Sequence, residues 1–322
     1  MSRAARRARR QPPPAPLPQR GGIDPVRVRL PQGEEWATVR DYLVARYGRA
    51  IGSTRVDAML REGRFHGLGG PVGPDAAYEP GAYVWFHRDL PPERPVPFAV
   101  EVVHRDETIV VVDKPHFLAT TPRGSHVTET ALARLRRDLD LPELTPAHRL
   151  DRLTAGLLLL VVRPEDRGAY QALFRDRRVR KEYEAVAPYD PALELPRTIR
   201  SRIVKERGVL AAREVPGEPN AETRVELLDH HGGLGRYRLL PATGQTHQLR
   251  VHMNALGLPL LHDPLYPVVD PDRSDPERED FTRPLQLLAR SLDFTDPRSG
   301  RPHRFRSGRS LGAWLRPRPP HS

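Results

Sequence analysis

The sequence predicts an α+β protein, a small α+β module followed by a larger mixed α+β domain. Three observations carry this reading. Beyond Phe98, strand-like apolar runs outnumber helical stretches; their order lacks the strand–helix alternation of a parallel winding; and a proline-dense segment, LPPERPVP at 90–97, separates them from a differently patterned stretch. With 322 residues the chain suits one large domain or two smaller ones.

In the module, spanning 36–88, Trp36, Val39, Leu43 and Val44 recur at helical spacing until Gly48 breaks the pattern. Ser53 is placed to cap a second helix with the apolar face Val56, Met59 and Leu60, stopped by Gly63, and an extended run follows at 82–86. A linker at 89–97 leads to strands at 100–104 and 108–113, separated by the turn residues Arg105, Asp106 and Glu107. The spacing predicts a helix over 128–139 capped by Thr128, a buried strand at 156–162, a helix over 165–174 and a strand at 181–187. A strand pair at 222–228 and 235–240, a helix over 246–256 ended by Gly257, a polar loop at 263–280 and a final helix-to-strand piece at 285–294 complete the domain, which spans 98–300.

Composition excludes several classes. The absence of cysteine removes disulfide scaffolds, thiolate metal sites, iron–sulfur clusters and cysteine nucleophiles. No apolar run approaches the roughly 18 residues of a membrane span, and the first 20 residues carry no apolar core of a secretory signal, so a soluble, cytoplasmic protein is expected. The net charge of +11 is unevenly spread. Residues 1–20 and 301–322 each hold six Arg and no acid; the remaining 40 basic residues face 41 acids. Residues 1–25 read as a disordered Arg/Pro-rich tail and 301–322 as a basic tail, the pattern of arms that screen polyanions. A coding bias is the competing explanation, since 49 of 52 basic residues are Arg and Pro numbers 36.

Three segments interrupt apolar stretches with polar residues. His148-Arg149-Leu150-Asp151-Arg152-Leu153-Thr154 precedes the buried strand; taken alone, Asp151 could cap a turn or pair with Arg149 or Arg152. In Arg180-Lys181-Glu182-Tyr183-Glu184-Ala185, a strand would put Lys181, Tyr183 and Ala185 on one face, with Tyr183 either lining a pocket or filling core. In Thr243-Gly244-Gln245-Thr246-His247-Gln248-Leu249-Arg250, Gly244 allows a tight turn and His247 and Arg250 follow along one helix side, as a site or as an ordinary solvated face.

Together, HRLDRLTAGLLLL, KEYEAV and ATGQTHQLRVHMNALGLPLLHDPLY, with VVDKP at 111–115 and LLARSLDFTDP at 287–297, resemble the RluA-type RNA pseudouridine synthases in order and spacing. The module at 36–88 is similar, through STRVDAMLREGRF, to a small RNA-binding fold that many such enzymes carry. The resemblance implies a mostly antiparallel sheet with a central cleft, an isomerase working on ribosomal or transfer RNA as a monomer, and no cofactor or metal. It implies that Asp151 is the catalytic carboxylate, stabilised in its charged form by Arg250, and that Tyr183 packs on the uracil. Arg149 would fill the gap left by the flipped base, with Arg152, His247 and Lys181 as further RNA contacts. Gln245, Ala155 and His262 depart from the family pattern. Alternatives are an RNA-binding platform that has lost catalysis, a two-carboxylate hydrolase and a metal-dependent nuclease; His247 and His252, five residues apart, do not share a helix face.

Overall fold

The run Ala155–Val161 is a strand with no solvent exposure, and its neighbours explain why it is apolar at every position. Leu157, Leu159 and Val161 enter one apolar cluster, while Leu158 and Leu160 enter another on the opposite face. A strand covered on both sides reads as a continuous apolar run, not an alternating one. The computed structural model describes residues 13–33, 36–90, 92–124 and 126–314. The chain divides into two units between Pro92 and Glu93, inside the expected linker.

In the first unit, β1 (Val26–Arg29), β2 (His66–Gly67), β3 (Gly70–Pro71) and β4 (Tyr83–Phe86) form a four-stranded antiparallel sheet in the order β1-β4-β2-β3. Helices α1 (Val39–Ile51) and α2 (Ser53–Arg61) share its apolar cluster. Thr38 and Asp41 form a reciprocal capping box at the start of α1. The helix runs through Gly48 and ends at Gly52, whose positive φ of 84° turns the chain into α2; Gly52, not Ser53, stands at the second N-cap.

In the second unit, eleven strands form one mixed sheet: β5 (Glu101–Arg105), β6 (Ile109–Lys114), β7 (Thr145–Pro146), β8 (Ala155–Val161), β9 (Arg180–Pro188), β10 (Arg197–Val204), β11 (Arg213–Val215), β12 (Ala221–His231), β13 (Leu234–Pro241), β14 (Leu287–Thr295) and β15 (Pro302–Arg306). The main path is β11-β10-β12-β13-β9-β14-β8-β6-β5, with β7 on β8 and β15 on β14; only β14 and β8 pair in parallel. Helices α3 (Ala131–Asp138), α4 (Arg167–Arg175), α5 (Gln248–Ala255) and α6 (Pro271–Ser274) complete it. Gly156, at φ 111°, lies where a Cβ would collide with the backbone of Ala289, so glycine permits the β8–β14 pairing.

Several expectations change. Thr130, not Thr128, caps α3, because the Glu93 carboxylate already takes the amides of Val127, Thr128 and Glu129. Helix α5 begins at Gln248, two residues later than expected, because His247 adopts a left-handed backbone at φ 59°. Residues 301–314 are no tail. Strand β15 pairs with β14, and Ser307, Gly308 and Arg309 all bind the buried Asp113. The carbonyls of Ser307 and Arg309 also receive the Arg290 guanidinium, which pairs with buried Glu184. The expected disordered tail lies outside the described residues over 1–12, and so does the stretch 315–322. No helix among the described residues is long and apolar enough to cross a membrane.

Candidate active site

The loop between β7 and β8 is pinned on both sides of Asp151. Thr120 Oγ1 accepts from the Leu150 amide at 3.1 Å and donates to its carbonyl at 2.8 Å. The buried Lys114 ammonium donates to the carbonyl of Arg152 at 3.2 Å, and to those of Pro115 and Leu118. His116 Nδ1 donates to the carbonyl of Leu153 at 2.7 Å. Leu150 and Leu153 are buried, and Arg152 turns away to a bidentate contact with Glu279 at 2.6 Å. Asp151 is left with a partly exposed side chain facing the cleft. Burial lowers the Lys114 pKa to about 7, against the pull of Asp151.

Helix α5 supplies the counter-charge. Its first turn is fixed by Gln248, whose amide accepts from Thr243 and the Gln245 amide and donates to Glu222 and Thr223. Two residues on, Arg250 is 2% exposed and grips Asp263 through Nε at 2.7 Å and Nη2 at 2.6 Å. Its remaining nitrogen, Nη1, stands 3.9 Å from Asp151 Oδ2. Burial opposes the Arg250 charge, but the Asp263 hydrogen bonds and the two carboxylates raise its pKa all the same. The guanidinium is therefore held in place by Asp263 and offers charge to Asp151 without occupying its oxygens.

Strand β9 presents Lys181 and Tyr183 to the same pocket, on one face as the alternation requires. Burial, reinforced by the Asp151 charge, pushes the Tyr183 phenol up, so the ring stays neutral. Lys181 donates to the Thr243 carbonyl at 2.8 Å, and burial with nearby Arg177 lowers its pKa to about 8. Burial takes His247 down to about 4. Arg149 is exposed at the rim and has no hydrogen-bond or ion-pair partner among the described residues.

The pocket opens into a groove of about 1050 Å³. Eight basic residues line it, Arg123, Arg149, Arg152, Arg175, Arg177, Lys181, Lys205 and Arg250, against one acid, Asp151. Within a body of almost balanced charge, the lining of this groove is strongly cationic. Asp151, Tyr183, Arg250, Arg149, Lys181 and His247 come together as the three segments imply; Arg152 reaches the groove but is engaged by Glu279. Sequence reasoning missed Asp263, Gln248 and the groove residues Arg123, Arg175, Arg177 and Lys205. The conspicuous histidine of the first segment is structural: His148 stacks on Phe174 at 4.2 Å and accepts from the Leu159 amide.

These features set a single partly exposed carboxylate in a groove lined by cations, the arrangement of a protein that receives a polyanion. Residues 108–255 match the family described as RNA pseudouridylate synthase. A dual-specificity RNA pseudouridine synthase of Escherichia coli is 30% identical over 67% of this chain and 95% of its own length. The human pseudouridylate synthase RPUSD2 is 34% identical over 56% of this chain, and a mitochondrial tRNA pseudouridine(32) synthase of Saccharomyces cerevisiae 32% identical over the same share. The chain spans only about 33% and 39% of the length of these last two. The solved structure of human RNA pseudouridylate synthase domain containing 1 shares the fold at a TM-score of 0.51, 24% identity, 65% of this chain and 83% of that one. The chain belongs to the RluA-type RNA pseudouridine synthase family.

Proposed function

We propose that this chain isomerises uridine to pseudouridine within structured ribosomal or transfer RNA, with Asp151 acting at the glycosidic bond. The observation that carries the proposal is the Asp151 carboxylate, turned toward the cleft and faced at 3.9 Å by an arginine that Asp263 holds rigid. Rearranging a uridine breaks its ribose–nitrogen bond and rejoins the base through carbon. One carboxylate beside the anomeric carbon suffices for this chemistry, and a two-carboxylate hydrolase would need a second acid across the bond. Among the residues lining the groove there is none.

A stacked base reaches this pocket only by leaving the helix, at a cost of a few kcal/mol. Tyr183 offers the flipped uracil a face, typically worth about 1–3 kcal/mol. The unpartnered Arg149 guanidinium is free to stack in the vacated space and to bond phosphate. Basic residues along the groove neutralise the backbone, and RNA shape selects the site. The names of relatives support the substrate class: one is a tRNA pseudouridine synthase, one a dual-specificity RNA pseudouridine synthase, and a Neisseria meningitidis relative, 31% identical, a ribosomal large-subunit pseudouridine synthase.

Forming the carbon–carbon bond expels the hydrogen on uracil C5. RNA labelled with tritium at that position should therefore release tritium to water with the full chain and not with Asp151→Asn. Binding without release would leave an RNA-binding platform in place of an enzyme, and free uracil would indicate a hydrolase.

A further inference from the structure

We propose that His247 is held as the Nδ1–H tautomer and presents a bare Nε2 to the extruded nucleoside, accepting a hydrogen bond from a donor on it. This rests on reading the cleft as a uridine site, and assigns a positioning and selecting role there. The argument starts at Tyr266, which is buried and whose hydroxyl meets three partners: the Ala212 carbonyl at 2.8 Å, the Ala212 amide at 2.8 Å and His247 Nδ1 at 3.1 Å. A hydroxyl has one proton and two lone pairs. The carbonyl only accepts, so the proton goes there; the lone pairs then receive the Ala212 N–H and the His247 ring. A bare Nδ1 would set two lone pairs against each other at 3.1 Å, so Nδ1 carries hydrogen.

The ring is neutral. Burial dominates and takes its pKa to about 4; Asp151 and Asp263 oppose the fall, and Arg250 and Lys205 add to it. With Nδ1 protonated in a neutral ring, Nε2 is unprotonated. It has no hydrogen-bond partner among the described residues, and His247 lines the pocket with Asp151 and Tyr183. The ring stands edge-on to Tyr266 at 88°. An acceptor so placed fits either of two uridine donors, the uracil N3–H or the ribose 2′-hydroxyl. The first would also discriminate against cytosine, whose N3 is bare. Ala212 closely follows Lys205, Val209 and Leu210, which line the groove, so the Tyr266 hydroxyl ties that wall to the histidine.

Two measurements on the full chain test this. In two-bond nitrogen–proton spectra of protein labelled with ¹⁵N-histidine, assigned with His247→Gln, His247 should be the Nδ1–H tautomer at pH 7; an Nε2–H tautomer or an imidazolium overturns the proposal. The second compares RNA carrying the uridine that the full chain isomerises with the same RNA bearing 3-deazauridine or 2′-deoxyuridine there. One of these should bind the unaltered protein about tenfold more weakly. That penalty should vanish in His247→Phe, which keeps a ring and lacks the acceptor, and the RNA affected names the donor. Penalties equal in both proteins overturn the proposal. Isomerisation of the unmodified RNA is the control: its absence defeats the reading of the cleft, whereas turnover with no dependence on His247 defeats this inference alone.

Discussion

Replacing Asp263 with Ala leaves the Arg250 guanidinium buried and without its bidentate partner. The pair is among the most enclosed in the molecule, with side chains 2% and 0% exposed and two hydrogen bonds of 2.6 and 2.7 Å. Breaking such a pair from one side costs about 3–5 kcal/mol, because the remaining charge loses its compensation. For a unit of this size, each kcal/mol lowers the melting temperature by about 2–4 °C, so a fall of roughly 10 °C is expected. The freed guanidinium has one remaining carboxylate within reach, Asp151, 3.9 Å away. Closing that gap ties up the oxygen that the proposed chemistry needs, so turnover should fall by more than tenfold in protein that is still folded. The double variant Asp263→Ala with Arg250→Met removes both charges and should regain most of the stability, without regaining activity. Urea unfolding and tritium release, measured on all three proteins, provide the assay. A loss below about 1 kcal/mol in Asp263→Ala, or a double variant as unstable as the single one, would refute the reasoning.

Gly156→Ala should destabilise the second unit by several kcal/mol in urea unfolding, because φ is 111° and the new methyl meets the Ala289 backbone. Ending the chain at residue 300 should cost the fold, since Asp113 and the Glu184–Arg290 pair lose Ser307 to Arg309; a melting temperature unchanged by that truncation would contradict this. Lys181, with a pKa of about 8, is charged below that pH and neutral above it. RNA affinity should therefore fall as pH rises from 7 to 9, and Lys181→Arg should remove that step in filter-binding titrations. Removing residues 1–12, which hold five Arg, should flatten the dependence of log affinity on log salt; an unchanged slope leaves coding bias as the explanation of those arginines.

What could be read from the sequence followed how each residue is used. Strand β8 was legible because both its faces are covered, and Lys181 with Tyr183 because β9 alternates. Strand β10 is not: RTIRSRIV carries three arginines, and only one of its residues is buried. β15 has the composition of a tail, because a short edge strand rich in Arg offers no apolar alternation to distinguish it. In the site, Asp151, Tyr183 and Arg250 stand out in motifs. Asp263 lies in the third motif too, but its pairing with Arg250, thirteen residues back, is not legible there, because an acid opening a polar loop reads as solvated. The groove cations Arg123, Arg175, Arg177 and Lys205 come from separate loops and element ends that only folding brings together. Their gathering also shifts the electrostatic argument, since the termini no longer have to supply all the attraction for RNA.

The central claim is that Asp151 isomerises uridine in RNA held along the basic groove. The most direct measurement maps pseudouridines by carbodiimide-dependent reverse-transcription stops, in unmodified ribosomal and transfer RNA incubated with the full chain or with Asp151→Asn. New stops at discrete uridines with the full chain, absent with Asp151→Asn although that variant binds the same RNA with similar affinity, are the predicted result. Stops that persist with Asp151→Asn, or a full chain that binds RNA and produces none, would contradict the account.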